Sequence, residues 1–271
     1  MRRAGRVLVR GGGEMASAAA RLLFLSGFEV AILEREAPLA VRRLVCFAEA
    51  VFSRAVEVEG VLGRLVPASS ITGTWEAGFV PVVVDPEAAC LSRVGADVLV
   101  DGRMSKQPDD TRIDQAPLVV GLGPGFLAGR DVHAVVETQR GADLGRVIWE
   151  GAAEADTSVP GLVAGHAETR VLRAHRAGTF RGRCRIGDLL RVGAPVGDVD
   201  DMPVNAPIGG LLRGLLGDGV PVRAGTKIGD IDPRGRDVDP ARLSDKGRAV
   251  AAGALEAILV GQKDAAASLL S

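Results

Sequence analysis

The sequence predicts an α/β protein in which a mainly parallel sheet is followed by a small duplicated β-barrel and a C-terminal helix. Three observations support this fold class. Apolar, β-branched segments alternate with helical patterns over the first 150 residues. Residues 178–200 recur 32 places later as residues 210–232, without a gap. Residues 240–260 are rich in alanine and leucine, as expected for a long packed helix.

The first 34 residues predict a βαβ unit. Arg6–Arg10 and Glu29–Glu34 have the composition of strands, Glu14–Ser26 has helical spacing, and Gly27 stops the helix. Further strands are predicted at Val80–Asp85, Asp97–Asp101, Pro117–Leu122, Asp131–Thr138 and Arg146–Glu150, helices at Leu39–Phe52 and Pro86–Val94, and a hairpin at Ala55–Val66. This alternation favours a parallel sheet that is covered on both faces.

The glycines after the first strand are typical of a Rossmann-like nucleotide-binding turn. Gly11, Gly12 and Gly13 open a G-x-G-x-x-A string directly after a strand and before a helix, where exposed N–H groups favour a phosphate. Glu34 ends the second strand, where a carboxylate could accept hydrogen bonds from a ribose. We therefore expect nucleotide binding here, with a turn that has lost its nucleotide as the alternative.

A second glycine cluster follows a later strand. Gly121, Gly123 and Gly125 form the string Gly-Leu-Gly-Pro-Gly. The cations Arg103, Lys106, Arg112 and Arg140 lie around the two clusters in the sequence. Because ligands of α/β sheets bind beyond the carboxyl ends of the strands, we expect the glycine turns to share a pocket in which arginines neutralise a phosphate.

Three polar residues are predicted to share one strand face. Asp131, His133 and Glu137 occupy alternate positions. This arrangement fits an acid/base histidine between carboxylates, a metal site that lacks a fourth ligand, or a hydrogen-bonded set that holds the glycine loop. We assign no metal.

The repeat resembles the biotinyl/lipoyl hammerhead, a flattened barrel built from two similar halves. In that fold the modified lysine lies on the hairpin that joins the halves, but here the joint is Asp201-Met202-Pro203, and Lys227 lies away from it. We therefore expect no covalent biotin or lipoate, and a docking role for the barrel. The predicted domains are residues 1–165, 166–238 and 239–271, the last packing back as a helix.

Composition favours a cytoplasmic protein. The chain has 271 residues and a net charge of −1, so no basic surplus indicates nucleic acid as a partner. No apolar run approaches the length of a membrane span, and we expect no membrane partner. The three cysteines are widely spaced. Cys46 is either an inert core residue or, beside Arg42 and Arg43, a sulfur-transfer cysteine.

Strings along nearly the whole chain resemble those of YqeB-type accessory proteins of selenium-dependent molybdenum hydroxylase systems. The matching strings are residues 9–13, 38–43, 47–50, 111–119, 121–126, 131–138, 140–141, 228–234 and 244–246. The chain departs from the family pattern at Gln139 and Ala142, where methionine and histidine are more typical. The resemblance implies a role in maturing molybdenum-dependent hydroxylases, by handling the pterin cofactor or its sulfuration, as the related xanthine dehydrogenase accessory factors do.

Taken together, we expect an accessory protein that binds a nucleotide or a molybdopterin-type, phosphate-bearing cofactor. Its expected partners are a molybdenum hydroxylase or its maturation proteins, and a second copy of the chain is another candidate. Two alternatives remain. One is an NAD-dependent oxidoreductase with His133 as the catalytic acid, and the other is a non-catalytic scaffold with an unmodified lipoyl-like module.

Overall fold

A large sheet organises the first 150 residues of the structure. The computed structural model describes residues 4–105, 110–156 and 162–268, with side chains up to residue 263. The strands of this sheet are β1 (Arg6–Arg10), β2 (Glu29–Glu34), β3 (Ala55–Val58), β4 (Val61–Leu65), β5 (Val80–Val84), β6 (Val98–Asp101), β7 (Leu118–Leu122), β8 (Ala134–Val136) and β9 (Val147–Ile148). The helices among them are α1 (Glu14–Leu25), α2 (Ala50–Ser53), α3 (Ile71–Glu76) and α4 (Leu91–Val94).

The large sheet is mixed. Within the described residues it has nine strands, in the order β3-β4-β5-β2-β1-β6-β7-β8-β9. The inner strands from β4 to β8 are parallel, whereas β3 and β9 pair antiparallel at the two edges. The chain returns from β8 to β9 within residues 137–146, which is too short for the crossover that a parallel strand needs. The expected Rossmann-like parallel sheet is therefore wrong, although the protein is α/β overall.

Two helices cover one face of this sheet. α1 and the C-terminal helix α5 (Asp245–Ser268) pack on each other and on the sheet, burying Val9, Leu23, Val120, Ala254 and Ile258 in one core. α3 and α4 lie on the other face, over Leu8, Leu99 and Val119. α5 begins at Asp245, since the Ser244 hydroxyl accepts a hydrogen bond from the Gly247 N–H at 3.0 Å, as a helix cap does.

The repeated segment forms two antiparallel sheets. The strands are β10 (Val171–Arg173), β11 (Gly178–Gly182), β12 (Leu189–Leu190), β13 (Pro195–Val199), β14 (Met202–Asn205), β15 (Gly210–Leu215), β16 (Pro221–Val222) and β17 (Lys227–Asp232). In the described part of the chain they are ordered β10-β17-β15-β12 and β14-β13-β11-β16. The two sheets share a core that contains Phe180, Leu212 and Ile228.

The expected lipoyl-like barrel is wrong. Strands from the two copies pair with each other, β11 with β16 and β12 with β15, but the ladders stay in two separate sheets. The period-2 pattern and the recurring glycines predict short, bent strands in either arrangement. They do not determine which strand edges join, and this is why the repeat alone favoured a closed barrel.

The segment after β2 connects the two regions. Val41 is buried in the core of the antiparallel sheets, and its carbonyl accepts a hydrogen bond from the Leu215 N–H at 2.8 Å. The Arg43 guanidinium donates to the Leu215 carbonyl at 2.9 Å. A continuous helix was predicted over Leu39–Phe52, but this stretch forms 3-10 turns at Arg43–Val45 and Phe47–Glu49 before α2. The residues around Val41 do not join a helix because the Val41 backbone pairs with the edge of β15.

Other element predictions were close. β1 and β2 have the predicted bounds, α1 ends one residue early, and Ala55–Val66 forms the predicted hairpin as β3 and β4. α3 was missed, and the helix predicted over Pro86–Val94 is shortened to α4. The division into residues 1–165, 166–238 and 239–271 stays a prediction. No helix in the described residues combines the length and apolar character that crossing a bilayer requires.

The close packing of α5 gives a stability prediction. A Cβ at Gly253 would overlap the Gly145 carbonyl oxygen, which belongs to the backbone before β9. We expect Gly253→Ala to lower the free energy of unfolding by about 1–3 kcal/mol, although alanine favours helices. Gly73→Ala on α3 is the matched control, because a Cβ there meets no atom within 4 Å, and it should stabilise by up to about 1 kcal/mol. Urea unfolding of both variants checks this, and equal midpoints would contradict it.

Candidate functional site

The two glycine turns lie at one edge of the large sheet. Gly11–Gly13 follow β1, and Gly123 and Gly125 follow β7 with φ angles of 81° and 106°. Only β6 separates β1 from β7, so the turns are two strand spacings, about 10 Å, apart. Gly121 lies within β7, where a Cβ would overlap the Phe126 ring, so its role is packing.

The first turn is largely covered by the protein itself. The Gly12 N–H donates to the Glu34 carboxylate at 2.7 Å, and the Gly12 carbonyl accepts from the Ala48 N–H at 3.0 Å. Ala48 lies so close that a Cβ on Gly12 would be 2.6 Å from its nitrogen. Gly13, the cap of α1, has open space instead, because a Cβ there would meet no atom within 4 Å. Glu34 therefore binds the turn rather than a ribose.

The residues after β6 fill the space between the turns. A Cβ on Gly11 would lie 3.1 Å from the Arg103 backbone, and one on Gly123 would lie 3.2 Å from the Met104 side chain. The expected pocket shared by the two turns is therefore occupied by protein atoms.

Arg103 belongs to a closed ion cluster. Its guanidinium pairs with Asp101 at 2.6 Å and Asp110 at 2.7 Å. Arg10, which is only 1% exposed, pairs with Asp110 and donates to the Thr111 hydroxyl at 3.1 Å. These contacts raise the pKa of Arg103 and lower that of Asp110. Among the described residues, two arginines against two aspartates leave this cluster without a surplus charge for a phosphate.

The other predicted cations have different positions. Arg112 is 65% exposed and pairs with Asp114, in a cleft formed with the beginnings of β6 and β7. Arg140 pairs with Asp245 at 2.6 Å, at the N-terminus of α5. The prediction for Lys106 lies outside the described residues. Arg140 also lies near the N-terminus of α1, where the Glu14 charge contributes to raising its pKa after the larger effect of Asp245.

The predicted histidine group does not assemble. Asp131 accepts a hydrogen bond from the Leu127 N–H and pairs with Arg130. His133 lies before β8, where its Nδ1 accepts from the Val119 N–H at 2.9 Å, and burial lowers its pKa. Glu137 follows β8 at the opposite end.

Each of these residues has a structural partner. The Glu137 carboxylate is 2% exposed and accepts hydrogen bonds from the N–H groups of Thr138, Gln139 and Glu154 at 2.6–2.7 Å. Of the acid/base, metal-site and hydrogen-bonding interpretations, the last describes Glu137 and Asp131, because both carboxylates accept hydrogen bonds from loop N–H groups. His133 lies before β8, whereas the glycine turns follow the carboxyl ends of β1 and β7; the NAD-dependent oxidoreductase stays a prediction.

A group of charged residues lies around the N-terminus of α1, and the sequence patterns did not predict it; we call this group the crevice. Glu14, 16% exposed, pairs with the buried Arg42 at 3.3 Å and accepts a hydrogen bond from the Ser244 N–H at 3.0 Å. Arg42 also donates to the Arg242 carbonyl at 2.7 Å. These contacts hold together α1, the segment after β2 and the start of α5. The charges of Glu14 and Arg42 also act on Arg213 of β15 and Lys227 of β17.

A β-bulge contributes an arginine to the crevice. The register of β15 against β17 shifts between Leu212 and Gly214, so Arg213 is the extra residue. Bulges of this kind redirect a side chain. Arg213 is 16% exposed, and its Nε has no hydrogen-bond partner in the described structure. Its guanidinium lies 3.9 Å from Asp232, which already pairs with Arg234 at 2.8 Å.

Lys227 on β17 has a similar environment. Its ammonium group lies 4.0 Å from Asp230, which already pairs with Arg170. Burial lowers the pKa of Lys227, as it does for Arg213, and the positive charge of Arg42 also lowers both, whereas the carboxylates of Asp230 and Glu14 oppose this shift. Both cations are therefore poorly compensated by nearby carboxylates. We define the crevice by Gly13, Glu14, Arg42, Arg213, Lys227 and Lys246.

Lys246 borders the crevice from α5. Burial and the charge of Arg140 lower its pKa, whereas the carboxylates of Glu14 and Glu137 raise it. The one sequence signal for the crevice was the isolated lysine in the repeat. Arg213 and its counterpart Arg181 are the same residue type, although Arg213 lies in a β-bulge and is partly buried whereas Arg181 is exposed on a regular strand.

The described residues give little support for a metal site or a reactive cysteine. No group of three or more His, Cys, Asp or Glu side chains among the described residues is arranged to hold a metal ion. Cys46 is 1% exposed, and burial raises the pKa of its thiol well above the usual value. A protonated, inaccessible thiol favours the inert core interpretation.

A comparison with known proteins gives a clear relative. The chain is 45% identical to "Uncharacterized protein YqeB" of Escherichia coli strain K12 over 255 residues, which are 94% of this chain and 47% of that protein. The chain thus spans about half the length of the curated relative it matches. No protein-family model matches the sequence. This similarity agrees with the YqeB-type resemblance but does not assign a hydroxylase role.

Solved structures are matched only weakly. A succinylglutamate desuccinylase/aspartoacylase from Rhodobacter sphaeroides is 15% identical, with 84% of this chain and 85% of that chain covered and a TM-score of 0.25. The ectoine utilization protein EutE from Ruegeria pomeroyi, with product bound, is 11% identical over the same shares, with a TM-score of 0.26. Neither match carries an argument about chemistry. The comparisons give no support to the molybdenum-maturation role. The predicted Rossmann-like and lipoyl-like folds are wrong, because the large sheet is mixed and the repeat forms antiparallel sheets.

The buried Glu34 carboxylate gives a pH prediction. Burial raises its pKa above the usual 4.5, although the N–H groups of Arg35 and Gly12 oppose this shift. Its contribution to stability is therefore complete at low pH and is lost as pH rises through the raised pKa.

The measurement compares the wild type with Glu34→Gln, which cannot titrate. We expect the unfolding free energy of the wild type to decline, relative to that of the variant, as pH rises from 4.5 towards neutrality. Any lost hydrogen bond adds an offset that does not depend on pH. A difference that stays constant with pH would contradict the raised pKa.

Proposed function

We propose that this chain is an accessory protein that binds a small, phosphate-bearing ligand in the crevice. The observation that carries the proposal is the environment of Arg213 and Lys227. Each lies at 3.9–4.0 Å from a carboxylate that has another arginine as a partner. Two poorly compensated cations in one group of residues are matched by a ligand with two negative charges, such as a phosphate monoester.

The N-terminus of α1 supports the same ligand class. The first N–H groups of a helix have no partner within the helix, and they favour an anion. α1 is 12 residues long, and open space lies beside its cap, Gly13. The Glu14 side chain turns to Arg42 and Ser244, so its charge is balanced within the protein. A nucleotide or a pterin cofactor would present a phosphate of the required charge.

Binding of inorganic pyrophosphate, measured by isothermal titration calorimetry, tests the proposal. We expect saturable binding that Arg213→Gln and Lys227→Gln each weaken about tenfold, the effect of losing a hydrogen bond to a charged group. Arg181→Gln is the matched control. Arg181 is the counterpart of Arg213 in the first copy of the repeat, and it is exposed on the other sheet.

Absence of saturable binding would refute the proposal, and so would equal weakening by Arg181→Gln. Titrations with nucleotides and with molybdopterin then identify the ligand.

The narrower proposal is a cytoplasmic role alongside a molybdenum-dependent hydroxylase. Its support is the resemblance to YqeB-type proteins. Deletion of the gene should lower the hydroxylase activity of the host, and the wild type or Arg181→Gln should restore that activity, whereas Arg213→Gln should not. Unchanged hydroxylase activity after deletion would refute this role and leave ligand binding standing.

A further inference from the structure

A second cleft lies at the same edge of the large sheet, on the other side of β2 from the crevice. It is open, has a volume of about 690 Å³, and is bounded by the carboxyl ends of β4 and β5. Clefts of a few hundred cubic ångströms at this edge are typical of small-molecule sites in α/β proteins. None of its lining residues belongs to the crevice.

The floor of this cleft is apolar. Leu65, Val66 and Ala68 line it from β4 and the turn after it, and Val83 and Val84 line it from β5. Val84 is 43% exposed, so an apolar ligand would cover surface that is now in water. The Cys90 thiol also lines the cleft, and burial raises its pKa to about 12. The floor therefore offers contact area without a reactive group.

Two exposed arginines provide the charge. Neither the Arg54 nor the Arg93 guanidinium makes a hydrogen bond or ion pair within the described part of the chain, and both line the cleft. The Arg54 backbone is held in place, because its N–H donates to Ala50 and its carbonyl accepts from Leu65, both at 2.8 Å.

One carboxylate opposes them. The two oxygens of Asp85 accept hydrogen bonds from the N–H groups of Ala89 and Cys90 at 2.9 Å. Among the described residues that line the cleft, two arginines against one aspartate leave a single surplus positive charge.

We propose that this cleft binds a small monocarboxylate with an apolar body. The carboxylate pairs with Arg54 and Arg93, whose planar groups match its two oxygens, and the apolar body lies on the floor. Because the cleft has one surplus positive charge and an apolar floor, its ligand should carry one negative charge. The ligand expected in the crevice should carry two.

Ligand-detected NMR with hexanoate as the probe tests the proposal on the full chain. We expect saturable binding that Arg54→Gln and Arg93→Gln each weaken about tenfold. Arg112→Gln, an exposed arginine in a neighbouring cleft, should leave the affinity unchanged. Hexanamide, which keeps the apolar body but has no charge, and acetate, which keeps the charge alone, should both bind more weakly than hexanoate.

The outcomes separate this site from the crevice. No saturable hexanoate binding, equal binding of hexanamide, or unchanged affinity in both cleft variants would overturn the proposal. Loss of hexanoate binding in Arg213→Gln would overturn it as well, because that result would place the carboxylate in the crevice. Failure of pyrophosphate binding leaves it unaffected, since the two sites share no residue.

Discussion

The buried pair of Arg42 and Glu14 is the contact on which the arrangement of the two regions depends. Arg42 is 6% exposed and joins the N-terminus of α1 to the Arg242 carbonyl, while Glu14 accepts from the Ser244 N–H. Loss of one partner would leave a buried charge without compensation, which typically costs about 3–5 kcal/mol. The pair therefore connects α1, the segment that docks on β15, and the start of α5.

This connection also gives the crevice its charge. Because Arg42 and Glu14 neutralise each other, the cations of the neighbouring sheet remain in excess. Arg213, at the bulge in β15, and Lys227 carry that excess, and both interact electrostatically with Glu14 at the N-terminus of α1. By contrast, Arg10, Arg103, Asp101 and Asp110 form a balanced cluster between the glycine turns. That cluster fills the position that a dinucleotide would occupy in a nucleotide-binding domain.

Local patterns predicted most strands and the first helix. The β-branched runs and Gly27 determined β1, α1 and β2 within a residue. Patterns could not predict the antiparallel return to β9, because it depends on the length of one connection. Patterns also could not predict that the repeat separates into two sheets, because this separation depends on which strand edges pair.

The candidate site was harder to predict than the fold. The glycine turns were correctly expected at one edge, but Arg103 and Glu34 have partners within the protein that sequence spacing does not reveal. Arg213 and Arg181 are the same residue type in the two copies of the repeat, but Arg213 lies in a β-bulge and is partly buried whereas Arg181 is exposed on a regular strand. Long-range packing therefore decides which of two equal residues faces the crevice.

The most direct test is an anomalous difference map from crystals soaked in tungstate, a dense mimic of phosphate. The account predicts a peak between the Arg213 guanidinium and the Lys227 ammonium group, close to the cap of α1. A peak at the Arg10 and Arg103 cluster instead, or no peak in the crevice, would contradict it.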